Sequence, residues 1–104
     1  MAYKLIVTER ADELTDRLVA YLVNNLKNPS AASHFLDELE TIYDRLEKNP
    51  YQFAESKDEY LFLRGYREAV FREMKYRVVY RADEKNVYIL GVFHTLEDYG
   101  RKLD

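Results

Sequence analysis

The sequence predicts an α+β domain in which two antiparallel helices pack on a small, mainly antiparallel β-sheet. Two observations support this prediction. The first half of the chain contains two segments whose apolar residues recur every three or four positions, which is the period of an amphipathic helix. The second half contains runs of β-branched and aromatic residues separated by charged turn residues, which is typical of antiparallel strands. Helices and strands segregated along the chain in this way indicate two packed layers.

The first half is predicted to form one strand followed by a helical hairpin. Residues 3–7 are a short β-branched strand, and Thr8 is placed to cap a helix that runs to about residue 25. Asn28 followed by Pro29 starts the second helix, because proline suits the first helical position. Pro50 ends this helix. The apolar stripes are expected to be core and comprise Ala11, Leu14, Leu18, Tyr21, Leu22 and Leu26, then Ala32, Phe35, Leu36, Leu39, Ile42, Tyr43 and Leu46.

The second half is predicted to form three strands. Residues 50–63 show no sustained period and are expected to form a loop fixed by aromatic side chains, with room for one helical turn. Residues 66–71 form the first strand, and residues 74–81 and 87–94 form a hairpin. Residues 95–99 resemble a capping box followed by a short terminal helix.

The register of the hairpin determines which side chains share a face. A loop with an even number of residues pairs position 82 with 87 and position 77 with 92. One face then carries Arg77, Arg81, Tyr88, Leu90, Val92 and His94, and the other carries Tyr76, Val78, Tyr80, Val87, Ile89 and Phe93. We expect the first face to be free of helices. An odd loop would separate Arg77 from His94, because a slip of one residue inverts every side chain.

Composition limits the classes of function. The 104 residues are expected to form one domain, residues 1–104, that is large enough for a hydrophobic core. There is no cysteine and there are only two histidines, so no disulfide, thiolate metal site or histidine-rich zinc site is expected. The sequence shows no Gly-rich phosphate loop and no metal-ligand cluster, so no metal or cofactor is expected. No apolar run is long enough to span a membrane and no signal-peptide pattern is present, so we expect a cytoplasmic protein.

Charge is unevenly distributed along the chain. The formal net charge of −3 argues against a generally basic nucleic-acid-binding protein. Residues 64–81 nevertheless contain five arginines and one lysine against two glutamates, whereas residues 37–59 are mostly acidic. The sequence therefore predicts a local positive patch on an acidic body.

Arg77 and His94 are the candidate catalytic pair. A guanidinium can stabilise negative charge on a reacting phosphate, and an imidazole can move a proton at a 2′-hydroxyl or a leaving 5′-oxygen. This chemistry would be a metal-independent cleavage of RNA. Arg67 is the third candidate catalytic residue, because two groups alone supply too little rate enhancement.

Further side chains are candidates for binding the substrate. Arg81 and Lys75 could contact phosphates, and Tyr80 or Tyr88 could stack on a base. The simpler interpretation is structural: strand arginines usually pair with carboxylates at the surface, and a histidine at a strand end is usually a half-buried hydrogen-bonding group. His34 is assigned a structural role only.

Several motifs together resemble one known family. They are Tyr3-Lys4-Leu5-Ile6-Val7-Thr8 followed by Ala11, Pro29-x-Ala31-Ala32, Leu46-x-x-x-Pro50, Gly65-Tyr66-Arg67, Tyr76-Arg77-Val78-Val79-Tyr80, and Val87-x-Ile89-Leu90-x-Val92-x-His94. In this order and spacing the chain resembles the RelE/ParE family of toxins from bacterial type II toxin–antitoxin systems. The resemblance implies the fold predicted above, with the active surface on the open face of the sheet.

The resemblance implies two different activities. Members similar to RelE cut messenger RNA in the ribosomal A site, and Arg77, His94 and Arg67 match their catalytic positions; Glu55 is the nearest counterpart of the family's glutamate. Members similar to ParE poison DNA gyrase and lack nuclease activity. The acidic net charge favours gyrase, because the ribosome is a polyanion, whereas the Arg77–His94 pair favours the nuclease. We expect ribosome-dependent mRNA cleavage, with a gyrase poison or a non-toxic binding member as alternatives.

The resemblance also implies an antitoxin encoded by the neighbouring gene. Its C-terminal segment is expected to order on binding, to cover the groove of the helical hairpin and to extend an exposed sheet edge. Leu90, Val92, Phe53 and Tyr60 are the expected antitoxin contacts.

Overall fold

The protein forms two main helices packed on a four-stranded sheet. The computed structural model describes residues 2–53 and 59–95, without the side chains of residues 60 and 61. The elements in chain order are β1 (Lys4–Val7), α1 (Glu9–Ala20), α2 (Pro29–Lys48), α3 (Glu59–Leu63), β2 (Arg67–Val70), β3 (Tyr76–Ala82) and β4 (Asn86–His94). A wide helical turn at Tyr21–Asn25 extends α1, and a 3₁₀ turn at Pro50–Gln52 follows α2. Residues 96–99 of the predicted terminal helix and the position of Glu55 lie outside the described residues.

The sheet has the strand order β1-β4-β3-β2. β3 is antiparallel to both β2 and β4, whereas β1 pairs in parallel with the first residues of β4, Asn86 to Ile89. The α+β class and the mainly antiparallel sheet predicted from the sequence are therefore confirmed.

Both predicted helix starts are confirmed by their caps. The hydroxyl oxygen of Thr8 accepts a hydrogen bond from the Ala11 amide at 3.2 Å and donates one to the Ile89 carbonyl at 2.7 Å, which fixes α1 to β4. The Asn28 side chain accepts from the Ala31 amide at 3.0 Å, and Pro29 occupies the first turn of α2. Such caps each stabilise a helix by about 1 kcal/mol.

The two faces of the sheet are covered differently. We call the face that carries Tyr76, Val78 and Tyr80 the helix face, because these side chains pack with α2 in the larger hydrophobic cluster. The opposite face, which carries Arg77, Val79 and Arg81, is the outer face. A smaller cluster on the outer face contains Val79 and Phe93, both fully buried, together with Leu14 of α1.

Pairing between β3 and β4 changes register in the middle of the hairpin. Near the turn, Ala82 pairs with Val87, as the even-loop interpretation predicts. The register shifts between Val79 and Tyr80, because Tyr80 pairs with Ile89 but Val79 pairs with Gly91. Leu90 is therefore an extra residue on β4, which is the definition of a β-bulge.

The bulge overturns the predicted pairing at the open end of the hairpin. Arg77 pairs with Phe93, not with Val92, and His94 pairs with Tyr76. As a result Val92 and His94 lie on the helix face and Phe93 lies on the outer face. The predicted faces of these three residues were wrong, because one inserted residue reverses the alternation beyond it.

Candidate functional site

Arg77 and His94 do not share a face of the sheet. Their backbones are close, since Arg77 pairs with the residue directly before His94. Their side chains nevertheless leave opposite faces, because neighbouring positions in a strand alternate. The prediction that the guanidinium and the imidazole project together from the open face was wrong.

Arg77 lies half-buried on the outer face beside a buried glutamate. Its Nη1 is 3.4 Å from Oε2 of Glu68, which lies on the neighbouring strand β2. The buried Glu68 carboxylate neutralises much of the charge of Arg77. If Arg77 were removed, the negative charge of Glu68 would stay buried without a partner. The pair is therefore a structural contact between β2 and β3 of the kind that the simpler interpretation predicts.

His94 lies at the helical side of the molecule. Its ring meets the Tyr76 ring edge-on, with 5.4 Å between centroids. It also lines a cavity of about 500 Å³ together with Leu18, Tyr21 and Leu26. The imidazole therefore faces an apolar groove between the sheet and the helical hairpin.

Arg67 is distant from His94 although both lie on the helix face. Arg67 pairs with Tyr80 and His94 with Tyr76, so they lie four residues apart along β3 and on opposite sides of it. Strand geometry converts this offset to roughly 16 Å. The Arg67 guanidinium donates to the Phe53 carbonyl at 2.8 Å and lies 5.1 Å from the centre of the Tyr51 ring. The three predicted catalytic residues thus occupy three separate places.

Tyr80 is a core residue and is not available to stack on a base. Its side chain is fully buried, and its hydroxyl donates to the Pro50 carbonyl. Burial raises the pKa of the Tyr80 phenol well above its ordinary value. The predicted role of Tyr80 in substrate binding conflicts with this burial.

Arg81 and Tyr88 form a contact on the outer face, as their predicted cross-strand pairing requires. The Arg81 guanidinium lies 4.3 Å from the centre of the Tyr88 ring, a cation–π distance. Arg81 is exposed, and so is Lys75 in the turn before β3. These three are the predicted substrate-binding residues that solvent can reach.

Asp83 organises the turn between β3 and β4. Its carboxylate accepts from the backbone amides of Lys85 at 2.9 Å and Asn86 at 2.7 Å, and from the Tyr88 hydroxyl at 3.2 Å. These donors, led by the two amides, lower the pKa of Asp83 below its ordinary value.

The predicted antitoxin contacts are mostly internal. Val92 is buried on the helix face, so its predicted surface role was wrong. Leu90 is half-buried against the outer-face cluster, and Phe53 packs near Tyr80 with 6.5 Å between ring centroids. The side chain of Tyr60 lies outside the described residues.

The helical hairpin instead exposes apolar side chains that the sequence predicted to be core. Tyr21 is 48% exposed and Leu26 is 53% exposed, and Leu36 is also exposed. Val23, which was not among the predicted core residues, is exposed as well. Periodicity alone does not reveal this exposure, because apolar stripes of this kind ordinarily face the core. No helix in the described part of the chain is long and apolar enough to cross a membrane.

Comparisons with known proteins find a family and a fold. The sequence model of the ParE toxin of the type II toxin–antitoxin system parDE matches residues 5–99. A comparison with curated proteins finds no match.

Three solved structures share the fold. The chromosomal ParDE toxin–antitoxin system from Pseudomonas aeruginosa is similar with a TM-score of 0.72 and 19% identity, covering 89% of this chain and 96% of that chain. The toxin–antitoxin complex RelBE2 from Mycobacterium tuberculosis is similar with a TM-score of 0.60 and 23% identity, covering 90% of this chain and 99% of that chain. A RelE double mutant from Escherichia coli in the free state is similar with a TM-score of 0.64 and 20% identity, covering 98% of this chain and 93% of that chain.

Proposed function

Because this chain belongs to the ParE toxin family of type II toxin–antitoxin systems, we propose that it poisons DNA gyrase without cleaving nucleic acid. The observation that carries the proposal is the separation of Arg77 and His94 by the sheet. Phosphodiester cleavage needs a charge-stabilising group and a proton carrier within hydrogen-bond reach of one phosphate. Two side chains that leave opposite faces of one sheet do not meet this requirement.

The electrostatics support the same proposal. Arg77, the arginine on which the nuclease interpretation depends most, is already paired with the buried carboxylate of Glu68. The net charge of −3 also opposes binding to the ribosome, whose RNA is a dense array of phosphates. A protein target carries no such requirement for a basic surface.

Ribosome-dependent mRNA cleavage is the second candidate function. One observation favours it: Arg81, which is exposed and stacked on Tyr88, offers a cation and an aromatic ring on the outer face. Such a surface suits a base and its phosphates. The catalytic roles of Arg77, His94 and Arg67 stay predictions of this second function.

Induction of the toxin without its antitoxin separates the two functions. We expect double-strand DNA breaks and an SOS response while translated messages stay whole, and we expect purified gyrase to accumulate cleaved DNA. Arg77→Lys keeps a positive charge beside Glu68 but removes the guanidinium fork, and His94→Gln removes the titrating group. Both variants should stay toxic, as should the control Arg17→Ala, an exposed residue of α1.

Two outcomes contradict the proposal. Codon-positioned cuts in translated messages, mapped by primer extension and lost in both Arg77→Lys and His94→Gln, would establish mRNA cleavage instead. Harmless overproduction together with unaffected gyrase would identify a non-toxic binding member.

We also propose that an antitoxin covers the groove between the helical hairpin and the sheet. The groove is lined by Leu18, Tyr21, Leu26, Tyr76 and His94 and has a volume of about 500 Å³. Exposed apolar side chains on both sides of such a groove suit the apolar face of an amphipathic helix. Related ParDE and RelBE2 structures are toxin–antitoxin systems, which supports a partner of this kind.

Leu26→Asp tests this groove. A charge placed where an apolar helix docks should weaken binding to the product of the neighbouring gene by about 2 kcal/mol or more, measured by calorimetry. Leu63→Asp is the matched control, because Leu63 is 74% exposed and lies on α3, away from the groove. Equal weakening by both variants would contradict the assignment.

A further inference from the structure

Three side chains that commonly bind metals converge where α2 passes the turn between β2 and β3. His34 and Glu38 lie one helical turn apart on α2, so they project from the same side of the helix. Glu73 lies in the turn that connects β2 with β3. One ligand atom from each of the three residues lies within 4.8 Å of the others.

The spacing of these atoms fits a common coordination geometry. Nε2 of His34 is 3.0 Å from Oε2 of Glu73 and 3.8 Å from Oε2 of Glu38. Ligands of a tetrahedral zinc ion, with bonds of about 2.0–2.1 Å, lie about 3.3 Å from one another. The two observed distances bracket this value, and the ligand atoms of Glu38 and Glu73 lie within 4.8 Å of each other.

Glu38 is the anchor of the cluster and has an unsatisfied oxygen. Its Oε1 accepts a hydrogen bond from the Glu73 backbone amide at 2.9 Å, which fixes the carboxylate relative to the turn. The Glu38 side chain is only 14% exposed, and its Oε2 is shielded from solvent without a hydrogen-bond donor in the described residues. A buried carboxylate oxygen without a donor is costly, and a cation would satisfy it.

No arginine in the described part of the chain neutralises the two carboxylates of the cluster. Arg45 and Arg72 line the same cavity of about 350 Å³. Arg45 is directed elsewhere, because its Nε donates to Gln52 at 2.9 Å and its guanidinium lies 4.7 Å from the centre of the Phe53 ring. Within the described ranges, His34 is the only basic side chain at ion-pair distance from the two carboxylates.

We propose that His34, Glu38 and Glu73 bind a divalent transition-metal ion of the Zn²⁺ type. One imidazole and two carboxylates suit zinc, whereas Mg²⁺ and Ca²⁺ prefer oxygen ligands alone. His34 and Glu73 are exposed, so the remaining coordination position opens to water. The ion would link α2 to the β2–β3 turn and stabilise the fold, a role separate from the action on gyrase.

Calorimetry with zinc chloride tests the site on untagged protein freed of metal by a chelator. We expect saturable binding of one ion per chain. At a free zinc concentration about 100-fold above Kd, mass action should raise Tm by roughly 10 °C. Magnesium chloride at the same concentration should leave Tm unchanged.

Variants locate the ion. Glu38→Gln keeps the acceptor for the Glu73 amide but removes the charge, and it should weaken zinc binding about tenfold or more, as should His34→Ala. Glu40→Gln removes the same charge from another side of α2 and should bind like the unmodified chain. NMR signals of His34 and residues 72–75 should shift on adding zinc.

Two results would overturn the proposal. One is the absence of saturable zinc binding. The other is binding that Glu38→Gln and His34→Ala leave unchanged, because the ion would then lie elsewhere. The NMR shifts keep the test valid if either variant folds poorly, since they are measured on the unmodified chain.

Discussion

The two ends of the β3–β4 hairpin are held by different kinds of contact. At the turn, the Asp83 carboxylate accepts hydrogen bonds from two backbone amides and from the Tyr88 hydroxyl. All three hydrogen bonds are exposed, and every donor lies within five residues of Asp83. At the open end, Phe93 packs with Leu14 of α1, far away in the chain, and Val92 is buried on the helix face. The bulge at Leu90 separates the turn end of the hairpin from its open end.

The difference teaches which contacts set the faces of a strand. A turn fixes the register only as far as the ladder stays regular, and a bulge resets it. Beyond the bulge, the faces follow from packing against α1 and α2. We therefore expect substitutions at the open end to cost more stability than substitutions near the turn.

Val92→Asp should have the largest effect. It places an unpaired carboxylate in the core beneath the helices, and we expect a loss of about 4 kcal/mol or more in the free energy of unfolding. Leu90→Asp, on the half-buried outer face, should cost roughly 2 kcal/mol less. Urea titrations followed by circular dichroism measure both. Equal losses would indicate a regular ladder that places Leu90 and Val92 on one face.

Tyr80→Phe should have an intermediate effect. It removes the hydroxyl that donates to the Pro50 carbonyl inside the core, and we expect a loss of about 1–3 kcal/mol. Tyr88→Phe removes an exposed hydroxyl near the turn and should change stability by less than about 0.5 kcal/mol. The midpoints of urea unfolding give the comparison. A larger loss for Tyr88→Phe would contradict our ranking of the buried hydroxyl above the exposed one.

Asp83→Asn should have the smallest effect, and the effect should depend on pH. The pKa of Asp83 is lowered by the backbone amides of Lys85 and Asn86, so the folded state favours the carboxylate. This stabilisation is present above the ordinary pKa of 3.8 and is lost as pH falls through the lower folded value.

Thermal unfolding at several pH values measures this effect. The unmodified chain should have a higher Tm than Asp83→Asn at pH 7, and the difference should disappear in acid. Glu84→Gln, one residue further along the turn, is the control for loss of charge. A difference in Tm that persists unchanged in acid would exclude the charge of Asp83 as its cause.

The sequence by itself determined the features that depend on a few neighbouring residues. Thr8 and the Asn28-Pro29 pair mark helix starts because an N-cap is a local hydrogen bond. The even loop at Asp83 predicts the pairing of Arg81 with Tyr88 for the same reason. Motif order was also sufficient to indicate the family.

Only the tertiary structure decided the faces at the end of β4. Residues 89–93 are an unbroken apolar run, so they contain no polar position from which the alternation could be read. Pairing and packing with distant elements placed Val92 inside, turned His94 away from Arg77 and left Tyr21 and Leu26 exposed.

The cluster of His34, Glu38 and Glu73 is the clearest example of a feature that short sequence segments do not predict. Glu73 is 35 residues from Glu38, and only the packing of α2 across the sheet brings the two carboxylates together. Hydrogen bonds between neighbours can be inferred from spacing, because the chain itself holds the partners close. Contacts between distant residues depend on the free energy of burying whole faces, which no short segment encodes.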